Sequence, residues 1–471
     1  MGVLEISAIL RRMELPRPAP QSCTRHGSDA KLHSARKVGD NEESVIKKGQ
    51  GSAIMGVLEM GKTGKTNLFP LLAASSLGAF AWWRVSQSPL PQEDLECLNS
   101  IDSRVETFHS EDDVELRLKR YVNEGGQPVL LVHGFTGNGL EFDLPHRRHN
   151  LALYLAERGY DVWISSFRGC GYGPYACGTR GWNHSVDDLA GLDAPALVNG
   201  ITLATGRTPV WIGHSMGGIV LYMYLLGATA QRSNGSYRAT VDPSLIEERN
   251  RSILGGVAIA SPPSLAFGGG DWIAKLERLP FYKTQTKFLI RYLEFLGRIS
   301  PKVSISRVRD LVTRFPRLGR ILAQRGPFAI VLYNSKNVDA DVGYSLLKWA
   351  SDNVTTRMSN QFLALALDPE LKTYDKDYSY TAEMHRITAP LLFITGSEDF
   401  VGAENIRVDG YERVSSSLKQ FKFYEGYGHT DLVMGKRVEE EVYPAILAWI
   451  EDLIDRRGMA AGAPSQAETT A

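Results

Sequence analysis

The chain has 471 residues, and its 53 basic and 53 acidic side chains give a formal net charge of zero. A neutral chain argues against a nucleic-acid-binding protein, which carries an excess of Lys and Arg. Hydrophobic residues make up 43% of the chain, too many for an intrinsically disordered protein. Four cysteines are too few for a disulfide-rich scaffold. These values favour a globular protein with a large core, and no nucleic acid is expected as a partner.

The N-terminal region differs in composition from the rest. Residues 1–66 are rich in Lys, Arg, Ser, Gly and Pro and keep no hydrophobic period, which predicts disorder. Residues 67–86 contain an uncharged apolar run that ends in Trp82-Trp83. As a helix, its apolar part would be about 24 Å long, shorter than the hydrocarbon core of about 30 Å. We expect a shallow membrane anchor or an export signal, and the alternative is a buried apolar helix.

From Val105 onwards the chain alternates between strand and helix patterns. Two runs, at 105–109 and 114–122, mix strand formers with polar residues and predict antiparallel edge strands. Apolar runs typical of buried parallel strands occupy 128–133, 160–165, 208–213, 253–260, 391–395 and 421–424. Helical patterns occupy 149–159, 185–200, 215–226 and 439–453. Such alternation predicts an α/β fold with a mostly parallel sheet covered by helices on both faces. The core would span residues 95–263 and 387–456, followed by a disordered tail at 457–471.

An insertion at residues 264–386 interrupts the alternation before the penultimate strand. Its stretches 272–279, 287–296 and 308–322 are amphipathic, which predicts a helical cap or lid. Residues 271–325 contain 13 Lys or Arg and 4 Asp or Glu, a net charge of 13 − 4 = +9. Either this basic cap and the segment 67–86 contact an anionic membrane surface, or the charges form a solvated face of a structural insert.

A candidate nucleophile lies between a predicted strand and a predicted helix. The sequence there is Gly213-His214-Ser215-Met216-Gly217, which fits the pattern Gly-x-Ser-x-Gly. A sharp strand-to-helix turn needs small residues on either side of a serine whose backbone is strained. Gly213 and Gly217 are therefore predicted to support Ser215 as a nucleophile.

A serine hydroxyl needs a base to take its proton and a carboxylate to orient that base. Both candidates follow predicted strands near the C-terminus, where the carboxyl ends of parallel strands open onto a ligand crevice. We expect His429 to be the base and Asp399 the orienting carboxylate. Glu398 and Asp431 are the other acidic residues near these positions, and they are interpreted as a surface neighbour and a local turn residue.

An acyl-transfer site also needs hydrogen-bond donors for the oxyanion. One predicted donor is the backbone N–H of Met216 at the start of the helix after Ser215. The second is the backbone N–H of Phe135, in the loop that follows the first buried strand. Gly134 would let this loop approach the site closely, and His133 precedes it as a supporting residue.

These stretches resemble the α/β-hydrolase superfamily and, within it, the acid lipase group. The likeness rests on Val129–Phe135, Gly159–Trp163, Phe167–Gly169 and Ser185–Ala190, all before Gly213–Gly217, and on the C-terminal block with Asp399 and Gly428–Asp431. It covers about residues 95–456. The resemblance implies a serine hydrolase of carboxylic esters such as acylglycerols or sterol esters. It also implies a triad of Ser215, Asp399 and His429 and an oxyanion hole at Phe135 and Met216.

The sequence thus predicts an esterase or lipase that acts on apolar acyl esters and requires no metal or organic cofactor. An acyltransferase or thioesterase with the same triad is the alternative, because the first half-reaction is shared. A catalytically inactive lipid-binding protein is a third possibility, although its sequence should lack a nucleophile or a base. The expected location is a membrane surface or an exported form, with peripheral attachment on the cytoplasmic side as the alternative. Cys170 and Cys177 would pair in an exported protein and otherwise remain free thiols.

Overall fold

The computed structural model describes residues 81–462, except for 234, 266–290, 292–294, 296–299, 327–328, 330–331, 366 and 400. The predicted disordered region 1–66 and most of the apolar segment 67–86 lie outside these residues. The end of that segment, 81–87, is helical, and its Trp82 and Trp83 are exposed by 63% and 54%. Among the described helices, none is both long enough and apolar enough to cross a membrane.

One eight-stranded sheet forms the centre of the structure, in the order β1-β2-β4-β3-β5-β8-β11-β12. Its strands are β1 Ser103–His109, β2 Glu115–Tyr121, β3 Pro128–Val132, β4 Asp161–Ser165, β5 Val210–His214, β8 Gly255–Ile259, β11 Leu391–Gly396 and β12 Lys419–Tyr424. Strand β2 is antiparallel to both β1 and β4, and every other neighbouring pair is parallel. This confirms the mostly parallel sheet and the antiparallel pairing of the first two strands. Strand β1 lies at an edge as predicted, whereas β2 lies between β1 and β4 and is not an edge strand.

Helices cover both faces of the sheet. In β3, Leu130 and Val132 belong to one buried cluster while Val129 and Leu131 belong to another, because successive side chains of a strand point to opposite faces. The helices are α1 Leu151–Ala156, α2 Val186–Asp188, α3 Ala194–Thr205, α4 Met216–Leu225, α5 Ile246–Arg251, α6 Ser306–Arg314, α7 Pro316–Arg325, α8 Ala340–Ser345, α9 Thr356–Ala364, α10 Tyr380–Glu383, α11 Ala403–Asn405, α12 Asp431–Met434, α13 Val438–Glu441 and α14 Tyr443–Gly462. Helices α3 and α4 pack on one face, and α1 and α14 pack on the other. The layered fold class predicted from the sequence is therefore confirmed.

Shorter helical elements complete the described structure. Those with π geometry are Leu189–Asp193, Leu346–Ala350 and Ile406–Tyr411, and the 3-10 turns are Cys97–Asn99, Gly139–Phe142, Arg147–His149, Gly173–Tyr175, Pro243–Leu245 and Met384–Arg386. Two small antiparallel pairs lie outside the main sheet, β6 Ala228–Ser233 with β7 Ser236–Val241, and β9 Lys302–Val303 with β10 Val354–Thr355.

The described part of the insertion between β8 and β11 is mainly helical and also contains the short pair β9–β10, which agrees with the prediction of a helical cap before the penultimate strand. The predicted helix at 308–322 is in fact two helices, α6 and α7. They separate at Phe315 because proline cannot continue a helix from the preceding turn and favours its first position. The predicted amphipathic stretch 272–279 and most of 287–296 lie outside the described residues.

Three further differences concern local structure. The hairpin of β6 and β7 was missed, although the sequence between its strands contains Asn234-Gly235, a dipeptide typical of tight hairpin turns. Helix α14 continues to Gly462, so the tail boundary predicted at 457 is wrong, because Met459 and the alanines after it favour a helix. Cys170 and Cys177 are free thiols in this structure.

Candidate active site

Ser215 occupies a tight turn between β5 and α4. Its backbone has φ 52° and ψ −116°, a conformation that costs a non-glycine residue energy and is typical of a nucleophile turn. A Cβ on Gly213 would lie 2.4 Å from the carbonyl carbon of Gly217. A Cβ on Gly217 would lie 2.1 Å from the carbonyl oxygen of Val132. Both glycines are therefore required for space, and the turn places Ser215 at the carboxyl end of the parallel strands.

Three side chains from distant parts of the sequence form a hydrogen-bonded chain. The Nε2 atom of His429 lies 2.9 Å from the Oγ of Ser215, and its Nδ1 lies 3.0 Å from the Oδ1 of Asp399. Because a carboxylate only accepts hydrogen bonds, Nδ1 carries the proton and Nε2 is free to accept the serine proton. His429 and Asp399 are exposed by 6% and 2% only. The arrangement has the geometry of a serine activated by a general base.

The carboxylate of Asp399 is the one that contacts the His429 ring. Its Oδ1 also accepts a hydrogen bond from the Val401 N–H at 3.0 Å, which holds the carboxylate in place. Glu398 is exposed and directs its backbone N–H to the Tyr427 carbonyl. Asp431 is buried and accepts a hydrogen bond from Asn337 at 2.8 Å. Of the three neighbouring acidic residues, Asp399 is therefore the one whose carboxylate bonds to the imidazole in the described structure.

The loop after β3 passes close to Ser215. A Cβ on Gly134 would lie 3.3 Å from the Cβ of Ser215, so only glycine fits here without displacing a neighbour. The Gly134 carbonyl accepts hydrogen bonds from the His133 Nδ1 at 2.8 Å and from the Gly137 N–H at 3.3 Å. In a trans peptide the N–H points opposite to the C=O, so these bonds direct the Phe135 N–H the other way. His133 therefore orients the peptide group to which Phe135 contributes its nitrogen.

His133 performs this role in its neutral form. Its Nε2 accepts a hydrogen bond from the Phe167 N–H at 3.1 Å, which leaves the proton on Nδ1 for the Gly134 carbonyl. Burial lowers the pKa of His133 and thus supports the neutral ring. Within the described residues, the backbone N–H groups of Phe135 and Met216 donate to no protein acceptor. Both groups are therefore available to a developing oxyanion.

A cavity of about 350 Å³ lies above Ser215, between the sheet and the cap. Its polar groups include His429 and Glu141, while most of its wall is apolar. The core contributes Phe135, Ile219 and Val401, and the insertion contributes Leu265, Ile305, Val308, Leu332, Leu346, Leu347 and Phe362. An apolar wall of this size beside a serine suits an acyl chain better than a charged substrate.

Comparison with known proteins identifies the family. The model of the alpha/beta hydrolase family matches residues 129–440, which is about two thirds of the chain. The chain belongs to the alpha/beta hydrolase family. This confirms the family resemblance inferred from the sequence.

The relatives of this alpha/beta hydrolase include lipases. Triacylglycerol lipase 2 of Arabidopsis thaliana is 25% identical over 368 residues, which cover 72% of this chain and 80% of that protein. Gastric triacylglycerol lipase of Rattus norvegicus is 34% identical over 104 residues, which cover 20% of this chain and 26% of that protein. Among solved structures, the monoacylglycerol lipase of Paleococcus ferrophilus is 20% identical, with a TM-score of 0.43. The match covers 75% of this chain and 100% of the lipase chain.

The cap of this alpha/beta hydrolase is bonded to both loops of the site. It contacts the loop after β3, because the Asp352 N–H donates to the Thr136 carbonyl at 2.8 Å. It also contacts the His429 loop, because the Thr430 N–H donates to the Leu332 carbonyl at 2.8 Å. Thr136 has φ 62°, unusual for a β-branched residue, and the bond to Asp352 helps to hold it there. The cap therefore shapes the site as well as covering it.

Two residues of the hydrolase site were missed in the sequence analysis. Glu141 accepts hydrogen bonds from the Gly134 N–H at 3.0 Å and from the His214 Nδ1 at 3.1 Å, and both side chains are buried. His214 lies inside the Gly-x-Ser-x-Gly motif, so the sequence already showed that it is next to Ser215. Nothing in the sequence marked Glu141, because its partner lies 73 positions away.

A larger cavity of about 580 Å³ lies elsewhere in the hydrolase. Its wall is polar and includes Asp112, Arg168 and His184, but none of the three residues in the hydrogen-bonded chain. Asp112 and Arg168 already form a buried ion pair. The smaller apolar cavity is therefore the one that adjoins the hydrogen-bonded chain of Ser215, His429 and Asp399.

Proposed function

We propose that this protein is a carboxylic ester hydrolase that cleaves apolar acyl esters through an acyl-Ser215 intermediate. The hydrogen-bonded chain of Ser215, His429 and Asp399 beneath an apolar cavity carries this proposal. The names of the relatives, which are triacylglycerol and gastric lipases, support ester substrates of the lipid class.

The proposed reaction has two half-reactions. His429 accepts the Ser215 proton as Oγ attacks the ester carbonyl, and the negative oxygen is stabilised by the N–H groups of Phe135 and Met216. The tetrahedral intermediate collapses, the ester C–O bond breaks, and His429 gives its proton to the leaving alcohol. Water then attacks the acyl-enzyme with His429 again as the base, which releases the acid and restores Ser215.

A chain-length series of nitrophenyl esters tests this proposal. We expect kcat/KM to rise from the acetate to longer acyl chains, by up to about fourfold per methylene, until the cavity is filled. A serine-directed fluorophosphonate should block activity and label the wild-type chain but not Ser215→Ala. A preference for acetate over all longer esters, or labelling of the Ser215→Ala chain, would contradict the proposal. Added alcohol distinguishes the acyltransferase alternative, since a transferase would form a new ester in preference to free acid.

We also propose that the hydrolase works at an anionic membrane surface, which it meets with its cap and with residues 67–86. In α6, Val308 lines the cavity while Arg307, Leu311 and Arg314 are exposed to solvent. Amphipathic helices with basic polar faces bind interfaces in this way. This geometry would place the apolar cavity directly behind the surface that meets the lipid.

The helix at 81–87 supports the same surface. The Arg317 Nε of α7 donates to the Ser88 carbonyl at 2.8 Å, so the end of this helix lies against the cap. Trp82 and Trp83 are largely exposed, and tryptophan is enriched at membrane interfaces. Two aromatic anchors would thus adjoin the basic helices of the cap. The segment and the cap together would hold the protein on the membrane.

Vesicle binding tests the surface. Replacing both Arg307 and Arg314 by alanine should lower binding to anionic vesicles by roughly 10-fold or more, since each basic residue near such a surface contributes about 1 kcal/mol. The control replaces Arg251 and Arg456, whose side chains are exposed by 77% and 60% and pair with Glu247 and Asp452, outside the insertion 264–386. An equal loss in the control variant would show that net charge alone matters and would refute this surface. Removing residues 1–86 should weaken binding further while short-ester hydrolysis stays intact.

A further inference from the structure

A buried ion pair lies directly beneath the proposed catalytic residues. The Oε1 of Glu141 is 3.1 Å from the Nδ1 of His214, and the two side chains are exposed by only 6% and 4%. Glu141 comes from the 3-10 turn Gly139–Phe142 and His214 from the end of β5. The mechanism described above uses neither side chain. Burying an ion pair away from water lowers the stability of the fold unless its remaining donors and acceptors are hydrogen-bonded.

The contacts of His214 determine its protonation state. Its Nδ1 faces the Glu141 carboxylate, and its Nε2 lies 3.3 Å from the carbonyl oxygen of His429. A carboxylate and a carbonyl can only accept, so both ring nitrogens must donate, and a ring with two N–H groups is an imidazolium. Burial alone would lower the pKa of His214, but the Glu141 carboxylate and the His429 carbonyl raise the pKa above its ordinary value.

The pair connects the two loops that carry the oxyanion donor and the base. At one end, Glu141 accepts the N–H of Gly134, the residue before Phe135. At the other end, His214 donates to the backbone of His429 itself. These bonds complete a path from the oxyanion loop to the base through two buried side chains. The separation between Phe135 and His429 thus depends on this pair.

We propose that Glu141 and His214 are positioning residues of the hydrolase. They fix the position of the loop after β3 relative to His429, and they keep a buried imidazolium beside the base. This inference rests on the proposed ester hydrolysis. The imidazolium has an electrostatic role as well. Its ring centre lies 5.0 Å from that of His429, so a positive charge stands close to the base. It also neutralises Glu141, whose lone carboxylate in the cavity wall would oppose a nearby oxyanion.

The charged groups around His214 come from several elements. Glu141 faces it from the turn after β3, His133 lies at the end of β3, and His429 and Asp399 lie in the loops after β12 and β11. His133 is neutral and Asp399 is bonded to His429. Glu141 is therefore the counterion of His214. If Glu141 loses its charge, His214 becomes neutral, and the positive charge beside the His429 ring is lost.

The experiment compares Glu141→Ala and Glu141→Gln with Asp143→Asn. Asp143 is a matched control, because it lies next to the same turn and forms a buried ion pair with Lys119 that contacts neither loop of the site. For a short nitrophenyl ester, Glu141→Ala should lower kcat by about 10- to 100-fold with little change in KM, a loss typical of misplaced catalytic groups. Glu141→Gln retains an acceptor for the Gly134 N–H, but a neutral His214 has one N–H too few for both of its bonds, so this variant should recover only part of the kcat.

The pH profile separates positioning from simple structural support. In Glu141→Gln the acid limb of kcat/KM should move upward by about half a pH unit or more, since the positive charge beside the base is lost. Asp143→Asn should lower the melting temperature without moving the acid limb or kcat. The inference is overturned if the acid limb of Glu141→Gln coincides with that of the wild type, even when Glu141→Ala fails to fold. It is likewise overturned if Glu141→Ala folds and keeps the kcat of Asp143→Asn.

A spectroscopic arm does not depend on activity. In protein labelled with ¹⁵N-histidine at pH 7, one wild-type histidine should have both ring nitrogens protonated, and Glu141→Gln should lose this signal. Absence of that signal in the wild type refutes the buried imidazolium. Absence of ester hydrolysis by the wild type, with the signal present, refutes the proposed function instead.

Discussion

Replacing Ser215 or His429 by alanine is expected to lower kcat for ester hydrolysis by about 10³-fold or more, and the double variant should be little worse. The effects should not add, because the serine oxygen and the imidazole share one hydrogen bond and act as a unit. Steady-state kinetics with a nitrophenyl ester measures all three variants. The matched controls are Ser417→Ala, which removes an exposed serine before the amino end of β12, and His385→Ala, which removes an exposed histidine.

Losses that multiply in the double variant would mean that the two residues act independently, against a shared mechanism. Activity that survives in either single variant would point to a different nucleophile or base. The controls should stay within about twofold of the wild type, since surface substitutions away from special contacts have small effects. A comparable loss in a control would trace the effect to folding.

Asp399→Asn should lower kcat by about 10³- to 10⁴-fold. An asparagine can turn its amide N–H toward Nδ1 of His429, which then accepts a hydrogen bond and carries no proton. The ring proton is therefore on Nε2, and Nε2 can no longer accept the Ser215 proton. Glu398→Gln is the matched control, because Glu398 is the adjacent residue and is exposed. It should remain within about twofold of the wild type. If Glu398→Gln causes the large loss and Asp399→Asn does not, the orienting carboxylate has been misassigned.

The sequence predicted the sheet well for a physical reason. Buried parallel strands such as β3 and β5 are largely apolar runs, and each is followed by a glycine-containing turn that can also be recognised in the sequence. The pattern around Ser215 is short and local, since Gly213 and Gly217 are demanded by space within the same turn. Local constraints of this kind leave a trace in neighbouring residues.

Contacts between distant residues left no such trace. Glu141 and His214 are 73 positions apart, and each is an ordinary polar residue in its own segment. The bond from Thr430 to Leu332, which joins the His429 loop to the cap, could likewise not be inferred from the sequence. Boundaries were also hard to place. The helix predicted at 308–322 crossed Pro316, where the structure has two helices, and the last helix passes the boundary predicted at 457.

The bonds from the cap to the Thr136 and Thr430 loops have a consequence for protein engineering. A cap taken from a relative would bring its own hydrogen-bonding backbone, and a mismatch at Asp352 or Leu332 would disturb the reactive loops at once. Ser215 would be less affected, because its turn is held by the glycines and by the Ile259 carbonyl of the central sheet. Chimeras that exchange the cap should therefore keep an intact nucleophile while losing turnover, unless the segments that contact both loops are exchanged with it.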